Sequence, residues 1–229
     1  MTHLQKPAGW SSSGGKDSML ALIAARNAGI DVRAMVSMFD ETGLRNRSHG
    51  IPRPILAAQA HSLDLELIGP AASWADYESQ FVAALRDLRD RGFGEVVFGD
   101  IDLPAHRDWE EKVCGAADLT ACLPLWGADR AALAQEVLAT GIRAIVVCVD
   151  SRWLDDSFCG REFNAQFLRD LPAGVCPCGE NGEFHTFVFD SPLMRAPLAV
   201  QVADFRTYVS PPQFGSQRYQ FADLVMNGV

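Results

Sequence analysis

The stretch WSSSGGKDSMLALIAARNAG, residues 10–29, decides the fold, because a polar, glycine-rich turn stands directly before an apolar run typical of a helix. Glycines let the backbone approach a ligand closely, and serines and a lysine donate hydrogen bonds. The first N–H groups of a helix have no partner inside it, so they face whatever the turn holds. These features suit an anion such as phosphate. We therefore predict a phosphate loop at residues 13–18, then a helix that Gly29 ends.

The composition, 48% hydrophobic and 21% charged over 229 residues, is that of an ordinary globular protein. The formal net charge of −9 argues against a broad nucleic-acid surface, since binding to a phosphate backbone relies on clustered Lys and Arg. No apolar run is long enough to cross a bilayer, and residues 1–10 do not resemble a secretory signal. Six cysteines in a chain of this size indicate reduced thiols. We expect a cytoplasmic protein without nucleic-acid or membrane partners.

Strand-like and helix-like segments alternate up to residue 150. The predicted strands are 31–39, 65–69, 95–99 and 143–150, and the predicted helices are 18–28, 54–63, 75–92, 107–117 and 129–141. Such alternation implies an α/β fold with a mostly parallel sheet and right-handed crossovers. Ligands of such sheets bind beyond the C-terminal ends of the strands, so the loops 11–18 and 40–53 and the segment after Gly99 should meet there.

The regular alternation of strands and helices ends after about residue 155. A helix-like stretch, 159–171, is followed by turns and alternating segments, which predict a smaller α+β appendage. We therefore expect a nucleotide-binding domain at 1–150 and a substrate-binding subdomain at 151–229. The strand before the phosphate loop is short and follows Pro7, so we expect it to be poorly formed. Trp10, Trp74 and Trp153 are predicted to be packing residues.

The phosphate loop does not match two common patterns. Lys16 is followed by Asp17, and no glycine stands five residues before Gly15, which excludes the Walker A loop; the G-x-G-x-x-G fingerprint is absent too. The run Ser13-Gly14-Gly15-Lys16-Asp17-Ser18 instead resembles the PP-loop of ATP pyrophosphatases, a Rossmann-like (HUP-type) class that cleaves ATP between its α- and β-phosphates. A flexible Ser/Gly turn that caps a helix is the alternative.

The resemblance to a PP-loop implies a role for each type of residue in the loop. Backbone N–H groups of Gly14 and Gly15, with the helix dipole, would hold pyrophosphate oxygens. Lys16 would offset the charge that builds on the leaving group. Asp17 would orient Mg²⁺, which favours carboxylate and phosphate oxygens.

A second dense motif, CGENGEFHTFVFD, covers residues 178–190. Glu180 and Glu183 flank Asn181-Gly182, and an alternating strand that contains His185 follows. Taken alone, the motif fits an ordinary turn before a strand equally well. Three further short motifs precede it, namely GDI at 99–101, RDWEEKVC at 107–114 and PLWGADR at 124–130.

In this order the motifs resemble those of the diphthine–ammonia ligase family, and the resemblance covers about residues 10–195. It implies an ATP-dependent amide ligase that turns a carboxylate into an acyl-adenylate, from which ammonia displaces AMP. The implied partners are ATP, Mg²⁺, a carboxylate-bearing substrate and ammonia, and the size of the chain suggests a homodimer. The alternatives are a non-catalytic adenine-nucleotide sensor and a PP-loop tRNA-modifying enzyme.

The resemblance also implies roles for individual positions. Implied nucleotide-binding residues are Ser13, Gly14, Gly15, Lys16, Asp17, Ser18 and Gly99. Implied substrate-binding residues are Arg107, Glu110, Glu180, Asn181, Gly182, Glu183 and His185. Implied catalytic residues are Lys16, Asp17, Asp100, Glu180 and Glu183.

One departure from the family pattern bears on the substrate. Members that act on diphthine resemble E-G-G-E-[YF]-E-T, whereas residues 180–186 read ENGEFHT, a variant that resembles a sibling group linked to corrinoid precursors. His185 replaces a carboxylate and, because imidazole titrates near neutral pH, changes the local charge there. A cationic diphthine side chain would lose an attractive partner, so we expect a different acid as substrate.

Two other groups of residues carry weaker interpretations. Cys176 and Cys178 lack the second pair of ligands that a structural zinc site needs, even with Cys159 or His185 added. His49 lies in the 40–53 loop, where contact with substrate and simple solvation are equally consistent with the sequence.

Overall fold

The computed structural model describes residues 6–212 and 215–226. The strands are β1 (Ala8–Ser11), β2 (Val32–Val36), β3 (Glu66–Ile68), β4 (Glu95–Val97), β5 (Thr120–Cys122), β6 (Arg143–Asp150), β7 (Phe184–Asp190), β8 (Val200–Val209) and β9 (Arg218–Met226). The helices are α1 (Lys16–Asn27), α2 (Arg53–Ser62), α3 (Tyr77–Asp90), α4 (Pro104–Gly115), α5 (Arg130–Ala139) and α6 (Ala165–Asp170). None of the helices among these residues is both long and apolar enough to span a membrane.

The first sheet is parallel, with strand order β3-β2-β1-β4-β5. The expectation that β1 is poorly formed is wrong, because β1 is the central strand and pairs with both β2 and β4. Ala8 and Trp10 on this strand are fully buried. Pro7 precedes the strand, so its missing N–H group interrupts no pairing inside the sheet. The predicted α/β class with a smaller α+β part is confirmed.

The second sheet is antiparallel, with strand order β7-β6-β9-β8. The strand predicted at 143–150 exists, but it pairs antiparallel with β7 and β9 and does not extend the parallel sheet. A continuous apolar run indicates a strand buried on both faces and does not encode the direction of pairing. The division at residue 150 stays a prediction, and it would separate β6 from both of its partners.

The helix-like stretch 159–171 is helical only over α6. Residues 161 and 163 hydrogen-bond instead to β6, through the Arg161 carbonyl and the Phe163 N–H. This pairing with the sheet overrides the local helical pattern of the preceding residues.

The two sheets share one hydrophobic core. One cluster of buried side chains includes Trp10 and Leu22 from the first half and Val147 and Phe187 from the second. The backbone N–H of Val188 also donates to the Gly14 carbonyl at 2.8 Å. The phosphate loop therefore lies where the parallel sheet meets β7.

Candidate active site

A cavity of about 930 Å³ opens at the C-terminal edge of the parallel sheet. Its walls come from the phosphate loop, from residues 98–110 after β4 and from residues 178–186 before and within β7. Among the residues predicted from the sequence, it brings together Ser13, Gly15, Lys16, Asp17, Ser18, Gly99, Asp100, Glu110, Glu180, Asn181, Gly182 and His185. The cavity thus lies at the edge where parallel sheets bind ligands.

The phosphate loop is held by its own serines. Gly14 has a φ of 87°, a conformation that glycine adopts without strain. Its N–H donates to Ser12 Oγ at 3.0 Å, and Ser12 Oγ lies 2.7 Å from Ser18 Oγ. The Gly14 N–H, which we expected to hold phosphate, therefore already has a partner within the loop. Gly14 itself is not part of the cavity wall.

Residues outside the loop also hold it in place through hydrogen bonds. The N–H of Lys16 donates to Thr186 Oγ1 at 3.1 Å, which ties the first turn of α1 to β7. Gln59 Nε2 donates to the carbonyls of Gly14 and Val188, at 3.2 and 2.7 Å. Sequence reasoning did not identify Thr186 or Gln59 as supports. The only signal for Thr186 was its place inside the second motif, and Gln59 had none.

Lys16 joins the two halves of the protein at the cavity. Its side chain is 2% exposed, and Nζ lies 2.8 Å from Asp17 Oδ2 and donates to the Cys178 carbonyl. Nζ also lies 5.2 and 5.1 Å from the ring centroids of Phe163 and Phe184. The ammonium group is therefore positioned both by the phosphate loop and by the second motif.

Asp17 has an oxygen that fits a cation. Its Oδ2 pairs with Lys16, whereas the buried Oδ1 has no hydrogen-bond partner among the described residues. Mg²⁺ takes carboxylate oxygens as ligands, so this atom suits the role that we predicted for Asp17.

Gly99 has a steric role at the start of α1. A Cβ atom at this position would lie 2.6 Å from both the N and Cα atoms of Ser18. The chain after β4 therefore packs directly on the backbone of the phosphate loop, and only glycine fits without displacement.

Opposite the phosphate loop, acidic groups and a histidine form a cluster. His106 Nδ1 lies 2.7 Å from Asp100 Oδ1, and Glu180 Oε1 accepts the N–H of Ile101 at 3.3 Å. One ligand atom each from Asp100, His106 and Glu180 lies within 4.8 Å of the others. Glu110, 4% exposed, stands beside them with its Oε2 unpartnered in the described part of the chain. His106 was not predicted from the sequence. No other histidine lies near it in the chain, and no metal-binding motif includes it.

The environment of this cluster shifts its pKa values. Burial, a hydrogen bond with Asp100 and nearby carboxylates raise the pKa of Glu110 to about 10, so its carboxyl is neutral at pH 7. Burial raises the pKa of Glu180 to about 7, with the charges of Asp17 and Asp100 adding to the shift. The hydrogen bond with Asp100 raises the pKa of His106. For Asp100, burial opposes the hydrogen bonds from His106 and Glu110, and its pKa is lowered.

Two histidines stack against each other on another wall. The rings of His49 and His185 have centroids 4.7 Å apart and an interplanar angle of 24°. Burial and the charge of Lys16 together lower the pKa of His185 to about 4, although Glu183 and Asp150 oppose the shift. Burial likewise lowers the pKa of His49 well below its ordinary value. His185 therefore does not titrate near neutral pH, contrary to our expectation, and His49 faces the cavity.

Besides Gly14, two more predicted site residues lie outside the cavity wall. Glu183 is fully buried, and its carboxylate accepts hydrogen bonds from the Cys176 and Asn181 N–H groups and from Asn181 Nδ2. Arg107 pairs with Asp108, and its guanidinium lies 4.9 Å from the ring centroid of Trp126. The geometry gives Glu183 a role in holding the turn and gives Arg107 no contact with the cavity. Charge in a motif does not reveal which side chains point inward.

The tryptophans divide between core and surface. Trp10 is fully buried, which confirms its packing role. Trp74 is 64% exposed and lines the cavity, with the Arg47 guanidinium 4.6 Å from its ring centroid, so the prediction of a packing role is wrong there. Trp153 is also exposed.

Comparison with known proteins places this architecture in a family. The diphthamide synthase N-terminal domain matches residues 9–121, and the diphthamide synthase C-terminal domain matches residues 129–210. Proteins named diphthine–ammonia ligase from Danio rerio and Bos taurus are both 32% identical, over 41% and 43% of this chain and 39% of their own length. The protein of that name from Schizosaccharomyces pombe is 26% identical over 80% of this chain and 34% of its own length.

The chain therefore spans less than two-fifths of the length of these curated relatives. Among solved structures, a protein described as a predicted subunit of tRNA methyltransferase from Methanocaldococcus jannaschii has a TM-score of 0.40 and 15% identity, covering 60% of this chain and 80% of that chain. That likeness is too weak to support an argument. The two domain matches together span residues 9–210 apart from one short gap, so this chain belongs to the diphthamide synthase family.

Proposed function

We propose that this protein is an ATP-dependent amide ligase. It would adenylate a substrate carboxylate, release pyrophosphate and transfer the acyl group to ammonia. The observation that carries the proposal is that the phosphate loop and the carboxylates of Asp100 and Glu180 face one another across a single cavity. Family membership and the names of the relatives support the same reaction class.

The phosphate loop is the proposed site for the outer phosphates of ATP. The start of α1 supplies backbone N–H groups and the positive end of a helix dipole. The Lys16 ammonium, now paired with Asp17, would shift toward the pyrophosphate as negative charge builds on it. Asp17 would hold Mg²⁺, which supplies charge neutralisation for the triphosphate when bound.

The opposite wall is the proposed site for the second half-reaction. Asp100 and Glu180 would hold ammonium close to the acyl-adenylate and accept its proton, because carboxylates are both attractive to the cation and able to act as bases. Glu183, which lies behind the turn, is not part of this proposal.

We place the substrate among organic acids other than diphthine, with a corrinoid precursor as the first candidate. The support is His185, which is uncharged at neutral pH and stands where diphthine-directed members carry a carboxylate. A neutral imidazole stack with His49 offers a cationic substrate no full negative charge to pair with. A homodimer stays a prediction.

Product analysis by ³¹P NMR tests the reaction class. Wild-type protein incubated with ATP, Mg²⁺, ammonium and a panel of candidate acids should form AMP and pyrophosphate. Lys16→Ala should lower that rate at least a hundredfold, the scale of a lost oxyanion-hole donor. Lys6→Ala, an exposed lysine at the opposite edge of the sheet, is the matched control and should keep wild-type turnover.

Two outcomes would overturn this proposal. ADP and phosphate as products would exclude the adenylation step. Bound nucleotide without any turnover across the panel would favour the sensor over the ligase. Circular dichroism should show that Lys16→Ala is folded before its rate is interpreted.

A further inference from the structure

The cluster of Asp100, His106 and Glu180 has a composition that the proposed reaction does not explain. Ammonium needs only oxygen acceptors, yet an imidazole stands among the carboxylates. Their ligand atoms lie within 4.8 Å of one another, and no other group of this kind occurs within residues 6–212 and 215–226. We propose that this cluster binds a divalent transition metal ion such as Mn²⁺ or Zn²⁺, separate from the Mg²⁺ that accompanies ATP.

The donor set matches such an ion. One imidazole nitrogen with two carboxylate oxygens suits first-row divalent metals, whereas Mg²⁺ prefers oxygen ligands alone. Metal–ligand bonds near 2.1 Å place ligand atoms roughly 3–4 Å apart, so the cluster needs only a small contraction around an ion. His106 Nδ1 would exchange its hydrogen bond with Asp100 for a bond to the metal.

The backbone already fixes the three ligands relative to each other. Asp100 follows β4, and His106 lies in the first turn of α4, which Pro104 begins. The N–H of Ile101, next to Asp100, donates to Glu180 Oε1 and so ties the second motif to the end of β4. The site is therefore assembled from three segments that hydrogen bonds hold together without an ion.

Glu110 supplies an independent reason to expect a ligand. It lies one helical turn after His106, so both side chains occupy the same face of α4. Its side chain is 4% exposed and lines the cavity, its carboxyl shares a hydrogen bond with Asp100, and its Oε2 accepts no hydrogen bond from the described residues. A buried polar atom with unused hydrogen-bonding capacity is costly, and a metal-bound water beside Asp100 would satisfy it.

The charges on the cavity wall favour a cation. Lys16 is the one lysine or arginine on the described wall, and it is engaged by Asp17 and the Cys178 carbonyl. Arg130, which lies close to Asn181, pairs with Asp102 instead. Among the described residues, no lysine or arginine forms an ion pair with the carboxylates of the cluster, although the charge of Arg130 acts on Glu180. Because the metal would use Asp100 and Glu180, we expect the ion and ammonium to exclude each other.

Metal binding can be measured without ATP, so its failure and the failure of the ligase reaction are distinguishable. The full chain, free of nucleotide and ammonium, is titrated with MnCl₂ while free Mn²⁺ is followed by electron paramagnetic resonance. We expect one ion per chain. His106→Gln and Glu180→Gln should each weaken binding at least tenfold, the lower end of the effect seen when a metal-site partner is lost.

A histidine remote from the cavity gives the matched control. His61→Gln removes an exposed histidine from the last turn of α2 and should leave Mn²⁺ binding unchanged. Binding that survives both His106→Gln and Glu180→Gln in folded protein would overturn the proposal, as would the absence of binding by Mn²⁺ and Zn²⁺ at millimolar concentration. If one of these two variants fails to fold, Mn²⁺ binding by the other variant tests the proposal.

Discussion

Gly99 and Ser18 approach so closely that the identity of one residue controls the geometry of the phosphate loop. The Cβ of any other residue at position 99 would meet backbone atoms of α1 at 2.6 Å, and a helix backbone cannot move aside as a flexible side chain does. The motif GDI therefore begins with glycine for a steric reason. This reason is independent of any direct contact between Gly99 and a nucleotide.

Gly99→Ala should lower the free energy of unfolding by about 1–3 kcal/mol, the usual cost of overpacking. Urea denaturation of both proteins measures the difference. Gly115→Ala, at the end of α4, is the control, because a Cβ there would meet no described atom within 4 Å. That substitution should be neutral or slightly stabilising. Equal stability of Gly99→Ala and wild type would contradict the predicted clash.

His185 should make the protein less stable in mild acid. Its pKa is about 4 in the folded chain and ordinarily near 6.5, so between these values the unfolded chain binds more protons. The contribution of His185 to stability therefore falls as the pH falls from 7 to 5, by an amount on the order of 1 kcal/mol, while the raised pKa values of Glu110 and Glu180 act in the opposite direction. The charge of Lys16 adds to the shift in the pKa of His185, whereas Glu183 and Asp150 oppose it, and His185 in turn lowers the pKa of His49.

His185→Gln should remove this contribution. The measurement is the difference in unfolding free energy between variant and wild type at pH 7 and pH 5, which removes contributions common to both proteins. His61→Gln, which changes an exposed histidine, should keep the wild-type slope. An unchanged slope in His185→Gln would show that the folded protein protonates His185 as readily as the unfolded chain.

Strand β7 acts as a support for the phosphate loop, although it belongs to the other sheet. Thr186 accepts the N–H of Lys16, and the Val188 N–H donates to the Gly14 carbonyl. The helix start that should receive phosphate is thus oriented by the second half of the chain. This arrangement explains why two motifs 160 or so residues apart occur together in one sequence.

Thr186→Val keeps the shape of the side chain and removes the acceptor. We expect a loss of about 1–3 kcal/mol in unfolding free energy, because the buried Lys16 N–H is left without a partner. Nucleotide binding should weaken as well. Thr120→Val changes an exposed threonine on β5 and should affect neither quantity in thermal denaturation and ATP titration. Full retention of both in Thr186→Val would show that β7 does not orient the loop.

Local patterns predicted most elements but not how they pair. The apolar runs of β2, β4 and β6 and the amphipathic α3 were visible because periodicity reports burial. The antiparallel pairing of β6 was not visible in the sequence, because the same apolar run suits a parallel or an antiparallel sheet. The three-residue strand β5 is too short to show any period. The central position of β1 depends on its neighbours β2 and β4, which a window around Pro7 does not contain.

The sequence indicated the candidate site where ordered motifs marked it and missed residues that only the fold brings to the cavity. The phosphate loop, Asp100 and Glu180 lie on one cavity as expected. His106 and Thr186 gained their roles through the packing of α4 and β7. For Glu183 and Arg107 the prediction erred in the opposite direction. Their charges suggested contact with a ligand, but their side chains do not face the cavity.

For the molecule as a whole, the proposed function depends on the two sheets meeting at one cavity. The parallel sheet presents the phosphate loop, and the antiparallel sheet supplies residues 178–186, so neither half contains a complete site. Lys16 is the clearest link, because its backbone and its ammonium both bind to the second half. Loss of either sheet would therefore remove nucleotide binding altogether.

Calorimetric titration with α,β-methylene-ATP and Mg²⁺ tests the central claim most directly, because this analogue resists cleavage between the α- and β-phosphates. The account predicts one analogue bound per chain by the wild-type protein, with affinity strongly reduced in folded Lys16→Ala and unchanged in Lys6→Ala. The absence of binding heat at millimolar analogue, or equal affinity in Lys16→Ala, would contradict the assignment of residues 13–18 as the ATP site.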